Sequence, residues 1–404
     1  MFKGPGKAIP TTSQSHPYFP PRLRTRRRLL IGPTNSAGQG YQWVTAVAKN
    51  LGSVSGHCFR FQIDENPYPD HYRVELKTFR KDRTWAEAFA EFAEKSYTHI
   101  VFESNRPIFG SKKGGSTAEI ARMRGAGLRV AMLAHGSDVR IPSAHAEREK
   151  WHQYQHMDPE FVRTLDTNAK VNVEQFRQFD GKTFVSTPGL LDFVPEAQWC
   201  PVVVDPKVWA CDRPVLTSPV PVVAHIPSSQ QKGSEWIDPI LQELADRGVV
   251  DYLRLSGIPL AEMPSYVSRC DILIDQFGTA DYGVAACEAM ATGRMVVSRI
   301  ADSVRARVLD ATGLELPIVE ANPDTLREVI LAQLDDRESA RAVAARGPEF
   351  IRAVHDGRQS AAALGAFLDE KPAGAVIRSL YRTRRRARGV TGRVKRRTTR
   401  GLRK

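Results

Sequence analysis

The chain of 404 residues lacks several features that would assign it quickly to a class of protein. It has no run of 18 apolar residues, so no transmembrane helix is expected. Its five cysteines are scattered, and no Cys-x-x-Cys pair occurs, which argues against a disulfide framework and a zinc site. The N-terminus has no apolar segment typical of a signal peptide. We therefore expect a cytoplasmic protein with reduced cysteines and no bound metal.

Acidic residues are missing from both ends of the chain. Residues 1–28 and the segment Arg378–Lys404 contain many Lys and Arg residues, and all 45 acidic residues lie between them. We expect residues 1–28 to form a disordered basic arm and residues 372–404 a basic tail. Such a tail favours an anionic membrane surface as a partner, at the inner face of the plasma membrane. Few aromatic residues alternate with its arginines, so nucleic acid is a poorly supported partner.

The remainder alternates between short apolar runs, which predict strands, and segments of helical period. One of these runs, from Trp199 to Val204, predicts a strand that ends at Asp205. This alternation predicts an α/β fold with doubly wound parallel sheets. The length allows two domains, and a Pro- and Ser-rich stretch from Cys211 to Pro221 suits a hinge between them. We therefore predict domains over residues 29–211 and 212–354, with a helical segment over residues 355–371.

The most informative stretch runs from Asp271 to Ser298, and it predicts a strand, a loop, a helix and a second strand. Gly278 and Gly283 lie in the loop, and Gly293 is placed to end the helix. A glycine-rich loop before a helix N-terminus, at the carboxyl end of a parallel strand, is a common place for anionic ligands. Glu288, just over one turn into the helix, is suited to accept hydrogen bonds from sugar or ribose hydroxyls. The alternative is an ordinary βαβ unit with a solvated glutamate.

The sequence GVAACEAMATGRMVVS in this stretch resembles the signature of family-four glycosyltransferases, a bacterial group among them, which have the GT-B fold. The resemblance implies two Rossmann-like domains that face each other across a cleft. The first is an acceptor domain and the second binds a nucleotide sugar. The family has another glutamate eight residues before the position of Glu288. Ala280 stands there in this chain, and Asp281 follows as the candidate substitute.

Three more segments resemble parts of this family. The loop with Gly38 and Gly40, after the first predicted strand, resembles the loop that faces the donor phosphates. The turn His135-Gly-Ser-Asp resembles one whose histidine points at the donor sugar. Lys232, before a predicted helix, matches one member of a basic pair that binds the diphosphate, and the usual arginine partner is missing. Without the resemblance, His135 could belong to a capped loop and Lys232 to the surface.

Taken together, the resemblance implies a retaining glycosyltransferase. It would use a nucleotide-diphosphate sugar as co-substrate and a glycan or lipid-linked acceptor, in cell-envelope or polysaccharide synthesis. The catalytic candidates are His135, Lys232 and Glu288. The donor-binding candidates are Gly38, Gly40, Lys232, Gly278, Asp281, Gly283 and Glu288, with no metal. Two alternatives remain open, a non-catalytic protein of this fold and a nucleic-acid-binding protein that uses its basic ends.

Overall fold

The computed structural model describes residues 19–62, 68–110, 115–229 and 232–371. The predicted basic tail (residues 372–404) and most of the predicted N-terminal arm therefore lie outside the described residues. We call the two halves of the molecule the first lobe, around a seven-stranded sheet, and the second lobe, around a five-stranded sheet.

In the first lobe every strand pair is parallel, in the order β3-β2-β1-β4-β5-β6-β7. The strands are β1 Arg27–Gly32, β2 Val54–Gln62, β3 Tyr72–Glu75, β4 His99–Glu103, β5 Arg129–Ala134, β6 Thr183–Val185 and β7 Gln198–Trp199. The helices are α1 Gln39–Asn50, α2 Leu76–Lys81, α3 Arg83–Ser96, α4 Gly115–Gly125, α5 Pro142–Arg148 and α6 Pro159–Arg177.

The second lobe repeats the plan with the parallel strand order β12-β11-β10-β8-β9. Its strands are β8 Val222–His225, β9 Asp251–Arg254, β10 Ile272–Ile274, β11 Met295–Ser298 and β12 Ile318–Glu320. Its helices are α7 Ser234–Asp246, α8 Met263–Val267, α9 Val284–Ala291, α10 Asp302–Thr312, α11 Leu326–Asp335 and α12 Arg337–Phe350. A π-helical turn, Ile351–His355, and a last helix, α13 Arg358–Leu368, follow.

Helices cover both faces of each sheet. Successive residues of a strand point to opposite faces, so one strand contributes side chains to two cores. On β1, Leu30 packs into one apolar core and Leu29 and Ile31 into another. On β10, Leu273 and Ile274 likewise enter two different cores. Near-continuous apolar strands are what a parallel sheet buried on both faces requires. The predicted doubly wound α/β architecture is thereby confirmed.

The last helix returns to the first lobe. Leu364 and Phe367 of α13 are fully buried in the same core as Leu29 and Trp43. His355, just before α13, accepts a backbone hydrogen bond from Val204 at 2.9 Å. The second lobe is thus followed by a segment that completes the first.

The structure differs from the predicted local structure at two places. The residues just before β1 are ordered, because Phe19 stacks on Phe89 and Phe92 with ring centroids 5.6 and 5.0 Å apart. The strand expected over Trp199–Val204 is reduced to β7. Beyond it the backbone bonds elsewhere, and Val203 N donates to Gln39 Oε1. The domain boundary after residue 211 stays a prediction.

Candidate functional site

Two glycines at the start of α1, Gly38 just before the helix and Gly40 in its first turn, lie close to other side chains. A Cβ on Gly38, which has a left-handed backbone (φ 75°), would lie 2.8 Å from the ring of Tyr68. A Cβ on Gly40 would lie 2.9 Å from Cys58 Sγ and 3.2 Å from Glu103 Oε1. Both positions need glycine because protein groups pack against them. Their predicted contact with donor phosphates stays a prediction.

The carboxylate of Glu103, the last residue of β4, joins this loop to the His135 turn. It is fully buried. Its Oε1 lies 2.9 Å from His135 Nε2, and its Oε2 accepts the backbone N–H groups of Thr34 and Asn35, each at 2.9 Å. The Asp138 carboxylate in turn accepts the backbone N–H of His135. The His-Gly-Ser-Asp turn is therefore built by its own aspartate and oriented by a glutamate 32 positions before the histidine.

In the second lobe, Lys232 and Glu288 lie near a third ionisable group, Asp275. The Lys232 ammonium contacts the Asp275 carboxylate, and both side chains are buried. Burial raises the pKa of the Glu288 carboxyl to about 8, with Lys232 opposing this rise and Asp275 adding to it. Burial, and after it the charge of Glu288, raises the pKa of Tyr68, which packs over Gly38. Tyr68 therefore lies near both Gly38 of the first lobe and Glu288 of the second.

Asp281 links the two lobes. Its carboxylate accepts the backbone N–H of Gly189 at 3.1 Å and that of Tyr282 at 2.9 Å. Arg140 of the first lobe lies 3.5 Å away. Burial raises the pKa of Asp281, and Arg140 is the main opposing influence. Several protein groups already bind this carboxylate, and its predicted contact with the donor sugar stays a prediction.

The loop before α9 contacts the first lobe in the same region. The carbonyl oxygen of Gly278 accepts hydrogen bonds from the backbone N–H of Gln153 at 2.9 Å and from His145 Nε2 at 3.1 Å. Burial, followed by the charge of Arg140, lowers the pKa of His145 to about 3, so its ring is neutral near pH 7. A Cβ on Gly283, at the start of α9, would meet nothing within 4 Å. Open space therefore adjoins this helix start.

A cavity of about 810 Å³ lies between the lobes, and residues from both form its wall. It brings together three predicted site residues, His135, Asp281 and Gly283. Most other side chains on its wall are polar or charged. The described residues that line this cavity do not include Lys232 or Glu288, nor Gly38, Gly40 and Gly278. The predicted site therefore divides into the cavity and the region around Lys232 and Glu288.

Sequence reasoning missed Glu103, Asp275, Tyr68 and Arg140. Glu103 ends strand β4, and Asp275 directly follows strand β10. An acidic residue directly at the carboxyl end of an apolar strand is the signal that could have found both, since ligands bind at that edge of a parallel sheet. No comparable signal marks Tyr68 or Arg140, which were identified by their contacts across the molecule.

Two features are absent from the described ranges. Within them, no group of three or more His, Cys, Asp or Glu residues is arranged to hold a metal ion. In the same ranges, no helix combines the length and the apolar character needed to cross a membrane.

Comparisons with known proteins relate the chain to others through its fold. No protein-family model matches the sequence, and no curated protein matches it either. Solved structures do match. Sucrose-phosphate synthase from Thermosynechococcus elongatus has a TM-score of 0.57 at 15% identity, over 84% of this chain and 98% of that one. Alr3699/HepE from Anabaena, in complex with UDP and glucose, has a TM-score of 0.55 at 13% identity, over 84% and 99%. WaaG, a glycosyltransferase involved in lipopolysaccharide biosynthesis, has a TM-score of 0.52 at 11% identity, over 85% and 100%. At these identities the likeness shows the fold, which is GT-B.

Proposed function

We propose that the chain is a glycosyltransferase that moves a sugar from a nucleotide-diphosphate sugar to a glycan or lipid-linked acceptor, with retention of anomeric configuration. The observation that carries this proposal is the polar cavity between two Rossmann-like lobes, with His135 on one wall and the start of α9 on the other. Retention and the acceptor classes come from the sequence resemblance. The solved structures named above include a complex with UDP and glucose, which supports a nucleotide sugar as co-substrate.

The proposed chemistry needs stabilisation of the negative charge that develops on the departing diphosphate. Lys232 is the candidate for this role, since its ammonium lies at the loop before α7 and next to the end of β10. The backbone N–H groups at the start of α9 would add a second source of positive potential. Glu288 would hold the ribose, and His135 would contact a sugar hydroxyl. Closure of the lobes over the cavity would exclude water from the donor.

A calorimetric titration tests donor binding. UDP, GDP, ADP and their glucose or mannose conjugates are titrated into the wild-type chain, Lys232→Ala and Glu288→Ala. A matched control is Lys170→Ala, because Lys170 is an exposed lysine on α6. We expect one nucleotide series to bind the wild type and the control and to lose affinity in both site variants. Binding that survives both substitutions, or no binding at all, would refute this donor site.

Transfer itself needs its own measurement. The nucleotide sugar that binds is incubated with glycan and lipid-linked acceptors, and the anomeric configuration of the product is read by NMR. Retention is the expected outcome, and an inverted product would contradict that part of the proposal.

A non-catalytic protein of the same fold is the second candidate. It is favoured by Asp281, whose carboxylate is bound by Gly189 and Arg140, and by the pairing of Lys232 with Asp275. Such a protein would bind a nucleotide sugar and never release free nucleotide, even with every acceptor added. Product formation above the background of a Lys232→Ala control would exclude it.

We also propose that Arg378–Lys404, which lies outside the described residues, holds the protein at an anionic membrane face in the cytoplasm. Sedimentation with vesicles of phosphatidylglycerol and phosphatidylcholine tests this. We expect removal of the segment to abolish sedimentation and added salt to weaken it. Unchanged sedimentation would refute the role. Tail-dependent RNA or DNA binding with a steep salt dependence would instead support the nucleic-acid alternative.

A further inference from the structure

We infer that Glu103 is a positioning residue that fixes the tautomer of His135, so that His135 Nδ1 accepts a hydrogen bond from a substrate hydroxyl in the cavity. The hydroxyl belongs to the donor sugar or to a sugar acceptor. This inference rests on the proposed function for the identity of the substrate, while its structural part stands without it.

The carboxylate of Glu103 has hydrogen-bond partners on both oxygens. The N–H groups of Thr34 and Asn35 donate to Oε2, each at 2.9 Å, which makes that oxygen an acceptor. Oε1 lies 2.9 Å from His135 Nε2. Because an ionised carboxylate can only accept hydrogen bonds, Nε2 must carry the hydrogen. In a neutral imidazole the other nitrogen, Nδ1, then has a free lone pair.

The ring of His135 is held by more than this hydrogen bond. Trp43, which is fully buried, stacks on it with ring centroids 5.6 Å apart and planes 22° from parallel. The backbone N–H groups of His135 and Gly136 both donate to the Asp138 carboxylate. The ring plane, its backbone and one nitrogen are therefore all fixed.

In the proposed arrangement, the remaining nitrogen binds the ligand. His135 forms part of the cavity wall, beside Gly136 and Ser137. Among the residues that the structure describes, none forms a hydrogen bond with His135 Nδ1. A hydroxyl of a sugar in the cavity can donate to this nitrogen. A site built to hydrogen-bond a hydroxyl discriminates strongly against an analogue that lacks it.

Glu103 also fixes the position of His135 Nδ1 relative to the glycine-rich loop. One oxygen of the same carboxylate holds the start of the loop and the other holds the histidine. A Cβ on Gly40 would lie 3.2 Å from Oε1, so α1 leaves little room for the carboxylate to move. One buried carboxylate thus holds both the start of the glycine-rich loop and the ring of His135.

The test is the tautomer of His135, read by NMR of the full chain labelled with ¹⁵N-histidine. The His135→Gln variant assigns the resonances. The inference predicts a protonated Nε2 and an unprotonated Nδ1 in the wild type. In Glu103→Gln the amide oxygen must serve the two backbone N–H groups, which leaves the amide NH₂ facing His135. We therefore expect the tautomer to invert, with Nδ1 protonated. A protonated Nδ1 in the wild type, or no change in Glu103→Gln, would overturn the positioning role.

The ligand part has separate arms. Glucose, UDP-glucose and GDP-mannose are each added to the labelled protein. We expect the Nδ1 resonance to shift toward the hydrogen-bonded position in the wild type and to stay unshifted in Glu103→Gln. A shift with glucose alone identifies an acceptor hydroxyl, and a shift only with a nucleotide sugar identifies a donor hydroxyl. If no arm shifts the resonance, the hydroxyl-binding role is refuted. The tautomer result is independent of transfer activity, so a failure of the proposed function is told apart from a failure of this inference.

Discussion

The ammonium of Lys232 contacts the carboxylate of Asp275, and their side chains are only 9% and 1% exposed to solvent. The second oxygen of Asp275 is buried and has no hydrogen-bond partner in the described parts of the chain. A diphosphate that binds Lys232 would therefore share or displace a protein carboxylate. This makes Asp275 an internal competitor for the cation proposed to hold the leaving group.

The two members of this pair are expected to affect nucleotide binding in opposite directions. Lys232→Met should weaken UDP or GDP binding, because it removes the cation. Asp275→Asn should tighten it by roughly tenfold, about 1.4 kcal/mol, because it removes both a competitor and a repelling charge. Isothermal titration calorimetry measures both. Weaker binding in Asp275→Asn would instead mean that the carboxylate holds the lysine in its binding position.

Glu288 should make the stability of the folded chain depend on pH. Its carboxyl pKa is raised from 4.5 to about 8 by burial, so the folded state holds this proton more tightly than the unfolded state. The resulting stabilisation is fully present below pH 4.5 and is lost as the pH rises through about 8. Urea unfolding of wild type and Glu288→Gln across this range measures it. We expect the advantage of the wild type over the variant to shrink with rising pH, and a constant difference would contradict this.

Asp281 should stabilise the contact between the lobes more than a partly exposed ion pair that also joins them. Asp281→Ala leaves Arg140 without its buried partner, so we expect a loss of about 3 kcal/mol in the free energy of unfolding. Asp192→Ala is the matched control, because Asp192 pairs with Arg307 across the lobes at 2.7 Å but is partly exposed. Its removal should cost less than about 1 kcal/mol. Equal losses in denaturant titrations would show that burial is not the deciding factor.

Gly40→Ala tests the close packing around Glu103. Its Cβ would lie 2.9 Å from Cys58 Sγ, and we expect a loss of roughly 1 to 3 kcal/mol in stability. Gly52→Ala is the control, since a Cβ there would meet nothing within 4 Å, and its effect should stay within about 0.5 kcal/mol. Thermal unfolding of the two variants gives the comparison. A Gly40→Ala protein as stable as the control would mean that the start of α1 relaxes freely.

The sequence predicts the second lobe well where the pattern is local. Gly293 follows the last turn of α9 with a left-handed backbone (φ 73°), as a glycine at that place should. The apolar run that forms β10 and the glycine-containing loop that follows it are local signals of the same kind. Local signals of this kind predict the order of strands and helices, and the expectation of a GT-B architecture comes from the sequence resemblance.

The interactions within the site could not be predicted, because they join residues far apart in the chain. Asp275 lies 43 positions after Lys232, and Glu103 lies 68 positions after Asn35. In the sequence alone, Asp275 and Glu103 are each an acidic residue at the end of a predicted strand. An acidic residue exposed to solvent at the same place would give the same pattern. The strand predicted over Trp199–Val204 does not continue beyond β7 for a related reason. Gln39, 164 positions before Val203, accepts the backbone N–H of Val203, which in a longer strand would donate to a neighbouring strand.

The return of α13 to the first lobe sets an order of events during synthesis. The core around Leu29 and Trp43 is completed by Leu364 and Phe367, which leave the ribosome roughly 300 residues after α1. At typical rates of translation this interval lasts about 15 to 60 s. During that time the first lobe can form its sheet, but the apolar face that α13 later covers stays exposed to solvent. The nascent chain is thus a candidate client for chaperones that bind exposed apolar surface, and its first lobe reaches its final stability only after the second lobe has been translated.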